Sequence, residues 1–131
     1  MSFIAKLKID GAEMNVLHCG FRFTQLTDTT GRPTAIPQGG NVILQVESSQ
    51  GTELFDWMIS PAQTKNGMIT FYRRDTSSKL KTLEFTGAHC VDYYETFDDT
   101  GENPMQIQLT ISAREIKLND SEFKNNWPEG S

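Results

Sequence analysis

From Met105 to Ala113 apolar and polar side chains alternate without exception. Met105, Ile107, Leu109, Ile111 and Ala113 fall on one side; Gln106, Gln108, Thr110 and Ser112 fall on the other. Successive side chains of an extended chain point to opposite faces, so the pattern predicts a half-buried β-strand. The same period marks residues 3–10 and 14–25, with a turn at Gly11 between them. In the second, Leu17, Cys19, Phe21 and Phe23 share a face opposite His18, Gly20, Arg22 and Thr24. Val42, Leu44 and Val46 mark another strand, and further strands are predicted at 68–74, 79–86 and about 89–97. Turn-forming residues at 75–78 and 98–104 separate the later strands.

Two stretches break the alternation. Residues 27–40 carry Gly31, Pro33, Pro37, Gly39 and Gly40, which reads as a long loop. Loops of that length inside a compact domain are uncommon and usually functional. At 52–59, Thr52 can cap a short helix, Glu53 and Asp56 suit its positive end, and Leu54, Phe55, Trp57 and Met58 form an apolar face. Pro61 stops continuation beyond Ser60. Strands in hairpin order with one flanking helix predict a mostly β fold, a small antiparallel β-barrel or two-sheet sandwich. The predicted domain spans 1–118, followed by a polar C-terminal tail at 119–131 with Trp127 as its one large anchor.

Length and charge narrow the functional classes. The 131 residues suffice for one domain with its own core. A net charge of −5 and the absence of a basic stripe argue against nucleic-acid binding. No run of about 18 apolar residues exists to span a membrane. The N-terminal residues alternate like a strand and lack the apolar core of a signal peptide, so folding in the cytoplasm is expected. Cys19 and Cys90 make no disulfide framework.

Candidate chemistry is sparse. Asp99-Thr-Gly101 is the aspartic-protease triplet, but that chemistry needs two aspartates sharing a proton, hence a homodimer. Asp98 and Glu102 would crowd such a dyad with negative charge, and turn formation already accounts for the residues. His18-Cys19 and His89-Cys90 suggest a Cys2His2 zinc site, yet strand neighbours point to opposite faces and cannot both reach one metal. A Cys–His nucleophile pair has nothing beyond the residue types behind it. The acidic turn at 98–103 lacks the ligand spacing of a calcium loop, and no glycine-rich phosphate loop follows a strand. Trp57, Phe55 and Met58 read as core rather than a ligand pocket. No catalytic residue, metal or cofactor is expected.

Charge placement says more. Between Lys65 and Lys81 stand Lys65, Arg73, Arg74, Lys79 and Lys81 against Asp75; between Thr82 and Ala113 stand six acidic residues, Asp98 and Asp99 among them, and no basic one. Neighbouring strands can pair these charges within a subunit. Equally, a basic edge of one subunit can meet an acidic edge of the next, a head-to-tail contact that closes rings or extends filaments. The neutral Gln106, Gln108, Thr110, Ser112 face tolerates water, and a second protein surface can also cover it without desolvating an ion.

In chain order, Asn15-Val-Leu-His-Cys19, Thr27-Asp-Thr-Thr-Gly-Arg-Pro33, Leu54-Phe-Asp-Trp-Met58, Asp99-Thr-Gly-Glu-Asn-Pro-Met105 and Ile111-Ser-Ala113 resemble the haemolysin-coregulated protein family (Hcp, also TssD), in its short, Bacteroidota-type form. The resemblance covers nearly residues 2–128. It implies a β-barrel of two packed sheets with a flanking helix, like phage tail tubes. It also implies hexameric rings stacked into the inner tube of a type VI secretion system. That tube works with a contractile sheath, spike and baseplate, and can carry small effectors in its lumen. The protein would leave the bacterial cytoplasm by contraction, without a signal peptide. Lateral strand-edge pairing would join subunits, and the loop would reach the next ring through Arg32 and Gln38. Arg73, Arg74, Asp98, Asp99, Gln106 and Gln108 are the other candidate contacts. The alternative is a monomeric β-barrel holding a small apolar ligand in its mouth.

Overall fold

A computed structural model of the chain describes residues 3–34, 38–48, 51–73, 78–99 and 105–125, with the side chains of residues 3 and 38 left aside. The described residues form eight antiparallel strands and one short helix: β1 (Phe3–Ile9), β2 (Ala12–Thr24), β3 (Gln38–Glu47), α1 (Glu53–Met58), β4 (Lys65–Arg73), β5 (Lys79–Phe97), β6 (Met105–Ser112), β7 (Glu115–Leu118) and β8 (Ser121–Lys124). Strand order is β4-β1-β2-β3-β6-β5-β7-β8, and β4 also pairs with β5, so six strands close into a barrel.

Two long strands make that closure possible by changing partners. β2 pairs with β1 only as far as Val16, and with β3 from Val16 to Thr24, with a bulge at Leu17 in the β2–β3 ladder just where β1 ends. β5 pairs with β4 and β7 over its first half and with β6 from His89 to Phe97. Bulges and bends of this kind let one strand serve both layers of a packed pair of sheets. The sequence predicts separate strands at 79–86 and 89–97. In the folded chain they are one strand, because Gly87 takes φ +61 and bends the strand rather than ending it. Opposite the bend, the Arg114 backbone N–H donates to the Thr86 and Gly87 carbonyls, where β6 gives way to β7.

Side-chain alternation then builds the core. Val42 faces Ile111, which faces Cys90; Leu44 faces Leu109; Val46 faces Ile107, all buried. Leu7, Ile9, Ile69, Leu83, Phe85 and Ile116 close on them from the second layer, and Leu54 and Trp57 from α1. The interior is thus filled by protein side chains, which leaves the ligand-binding barrel without support. Thr52 sits at the helix N-cap, but its hydroxyl donates to the Asp56 carboxylate at 3.1 Å instead of accepting from a backbone N–H. Phe55, grouped with the apolar face in the sequence reading, is exposed and meets Tyr93 edge to face at 5.6 Å.

Where the sequence reads a polar tail from residue 119, the chain turns at Asn119-Asp120 and returns as β8 against β7. Asn119 adopts φ +52, a conformation asparagine tolerates, and its side-chain oxygen accepts from the Thr82 N–H at 2.9 Å. Trp127 lies outside the described residues. β3 begins at Gln38, so the loop's last residues already belong to a strand.

Candidate functional site

The barrel presents two outward faces of different chemistry. Across β2, β3, β6 and β5, one face runs Arg22, Asn41, Ser112, His89, then Gly20, Ile43, Thr110, Asp92, then His18, Gln45, Gln108, Tyr94. Apart from Asp92 and the His18 imidazole, its centre is amide, hydroxyl and apolar; Arg22 and Glu47 stand in its end rows. The other face, on β1, β2, β5, β7 and β8, sets Lys8 opposite Glu13, Glu84 opposite Lys117 and Lys117 opposite Glu122. Lys6–Glu13 at 3.4 Å and Lys124–Glu115 at 3.7 Å are ion pairs on it, exposed enough to contribute little stability.

Free strand edges bound the neutral face. Beyond Val16 the β1 side of β2 has no strand neighbour among the described residues, and beyond Ala88 neither has the β4 side of β5. Unpaired N–H and C=O rows of this kind invite another strand. Val91, 52% exposed, and Tyr94, 62% exposed, lie along the β5 edge, and Phe21 and Phe23 along the β2 edge.

The loop between β2 and β3 is a built projection. Thr27 and Pro33 form an isolated bridge, and Thr34 N–H donates to the Leu26 carbonyl at 2.8 Å. At the tip one Asp28 carboxylate oxygen accepts from the Thr30 hydroxyl (2.7 Å), the Thr30 N–H (2.9 Å) and the Arg32 N–H (3.0 Å). The Thr30 hydroxyl, then the backbone donors, hold the Asp28 carboxyl below its usual pKa. Gly31, at φ +87, makes the tight return.

The candidate residues scatter over these features. Arg32 is exposed at the loop tip; Gln38 pairs through its backbone with Thr24 at the loop base. Gln108 is exposed and Gln106 half-buried, both on the neutral face. Arg73 ends β4 beside the start of β5, whereas Asp98 and Asp99 follow its far end. Nearly the whole length of β5 separates Arg73 from those carboxylates. Arg74 lies outside the described residues, as do the end of the Asp99-Thr-Gly101 triplet and most of the turn at 75–78.

His18 is exposed while Cys19 packs half-buried against the core, so that dipeptide does point to opposite faces. Burial pushes the Cys19 thiol up to about 11 and raises that of Cys90, which keeps both protonated and unreactive at neutral pH. Burial, then the hydrogen bond to Glu95, pushes the Tyr93 hydroxyl up to about 12. Tyr93 donates to Glu95 at 2.9 Å, and the Ser48 hydroxyl donates to the other oxygen, tying the end of β3 to β5. Asn41, Ile43, Gln45, His18 and Tyr94 were missed as surface candidates. Alternation of Asn41, Ile43 and Gln45 with Val42, Leu44 and Val46 was the available signal.

The family model of hemolysin coregulated protein Hcp (TssD) matches residues 1–128. No curated protein sequence matches the chain. Hcp1 from Flavobacterium johnsoniae is 39% identical, with a TM-score of 0.89 over 93% of this chain and 99% of that one. Hcp1 from Salmonella typhimurium, 14% identical, shares the fold at a TM-score of 0.74 over 94% and 92% of the two chains. A chain of the sheath-tube complex of the PVC extracellular contractile injection system, 19% identical, does so at 0.55 over 88% and 87%. With the family model spanning nearly the whole sequence, the chain belongs to the haemolysin-coregulated protein family (Hcp, TssD), a family of structural tube proteins rather than enzymes.

Proposed function

We propose that the chain is the subunit of a type VI secretion inner tube. Six copies close a ring, rings stack into a hollow tube, and a contracting sheath drives the tube and its spike from a baseplate into a target cell. The subunit is held in the bacterial cytoplasm until firing and leaves by contraction.

One observation carries the reading: a largely neutral four-strand face bounded on both sides by strand edges with no partner strand among the described residues, in a chain of this family. Pairing residues 17–24 of one copy with 91–97 of the next continues that sheet from subunit to subunit. The second layer, with α1 and the β7–β8 hairpin, needs the larger circumference, so it lies outside and the neutral face lines the lumen. A mostly uncharged, hydrogen-bonding wall, with Asp92 at its centre and Arg22 and Glu47 at its ends, holds small effectors weakly enough to release them. The Lys and Glu rows of the other face then meet the sheath. Arg73 and the Asp98-Asp99 pair, at opposite ends of β5, set register between subunits.

In this reading the loop tip, with Arg32, touches the next ring, and Gln38 supports it from the base. Shortening residues 28–32 is expected to leave rings intact while tubes and secretion disappear. Full-length tubes from the shortened variant would refute the loop's role.

A further inference from the structure

We propose that Asn125 is a positioning residue for the β2–β3 loop, so that the C-terminal hairpin sets where the loop points. The proposal rests on the reading of that loop as the ring-to-ring contact. Both stems of the loop converge on β8 and the residue after it. On the outgoing stem Phe23 meets Phe123 edge to face, centroids 4.8 Å apart and planes at 73°. On the returning stem the Asn125 carboxamide donates to the Gly39 carbonyl at 3.1 Å and to the Ala113 carbonyl at 2.9 Å. The Asn125 backbone N–H donates to the Arg114 carbonyl at 2.8 Å, and Ala113 N–H to the Gly40 carbonyl at 2.7 Å.

Two glycines make this approach feasible. Gly40 holds φ +99, and a Cβ there would collide with the Asn125 amide nitrogen and crowd the Ala113 carbonyl. A Cβ on Gly39 would enter the Phe23 ring. The donors meet a specific need: the ladder is interrupted at Ala113-Arg114, between β6 and β7, and carbonyls partly withdrawn from water there take partners from elsewhere. A carboxamide NH2 offers two hydrogens, whereas an ionised carboxylate of the same shape offers none. Asn125 thus pins the loop's base, while the Asp28 network shapes its tip independently.

Four proteins test this: the unaltered chain, Asn125→Asp, Asn125→Ala, and the chain shortened at 28–32. Rings and tubes are counted by negative-stain microscopy, and amide exchange is followed by mass spectrometry. Both Asn125 variants are expected to keep rings while the tube fraction falls by about tenfold, the effect of losing an interaction of hydrogen-bond size. Exchange should quicken at Ala113 and Asn125 and stay unchanged at Thr30 and Arg32. If Asn125→Ala fails to fold, the nearly isosteric Asn125→Asp carries the test. Tubes at the unaltered abundance in the Asn125 variants, with none from the shortened chain, would overturn the proposal alone. Loss of rings together with tubes would also overturn it, since that marks general destabilisation. Tubes from the shortened chain would overturn the ring-to-ring reading and this proposal with it.

Discussion

Gln45 and Gln108 stand directly opposite each other on β3 and β6, both directed away from the core formed by Leu44 and Leu109. If the face they share lines a lumen, a reagent's size decides whether it arrives. Gln108→Cys should react with a small maleimide in monomers, rings and tubes alike. A polymer-linked maleimide should modify the monomer and be excluded from tubes. The two native thiols stay slow, because burial holds them protonated. Equal labelling of tubes and monomer by the bulky reagent would place this face outside.

Free strand edges are the proposed lateral joint, and a charge placed there has to be desolvated on closure. Phe21→Glu on β2 and Val91→Glu on β5 should each shift rings to monomers. Val91 is 52% exposed and Phe21 38%, so the monomer should stay folded and lose about 1 kcal/mol, more at Phe21 than at Val91. Size-exclusion chromatography with thermal melts separates the two effects. Rings at normal abundance in both variants would locate the joint elsewhere.

Asp28 makes loop order depend on pH. Its folded pKa lies below the usual carboxyl value of 3.8, so the ionised form is the one its donors favour. The order it confers is therefore complete above pH 3.8 and lost as pH falls through the lowered pKa. Amide exchange at Thr30 and Arg32, corrected for intrinsic rates, should accelerate only in that acid range. Asp28→Ala should show the accelerated exchange at neutral pH. A flat profile in the unaltered protein would remove the carboxylate from the account of the loop.

Trp57 is 1% exposed, and its indole N–H donates to the Gln63 carbonyl at 3.1 Å. Trp57→Ala opens a cavity under α1 and should cost about 3–5 kcal/mol. Trp57→Phe keeps much of the packing and gives up the hydrogen bond to the exposed Gln63, at about 0.5–1.5 kcal/mol. Urea titrations of the two variants give the difference. Indistinguishable midpoints would mean that α1 adds little to the barrel.

The strands that alternate cleanly were legible in the sequence because half-burial imposes a period of two, and residues 105–113 and 42–46 show it most plainly. Gly87 misled because glycine is a punctuation mark in sequence, whereas in the folded chain its positive φ bends one strand between two sheets. β8 was hidden for another reason: Ser121-Glu-Phe-Lys124 has a single apolar residue, and its pairing is set by the Asn119-Asp120 turn. Asp28 and Gly31 were readable as turn formers, but the three bonds converging on one oxygen were not. The free edges of β2 and β5 were out of reach altogether, since composition does not say where a long strand changes partner.

Native mass spectrometry of the purified chain across a concentration series tests the ring most directly. The expected result is a sixfold multiple of the 14.8 kDa subunit, with higher multiples of that ring as concentration rises. A single 14.8 kDa species at every concentration would contradict it.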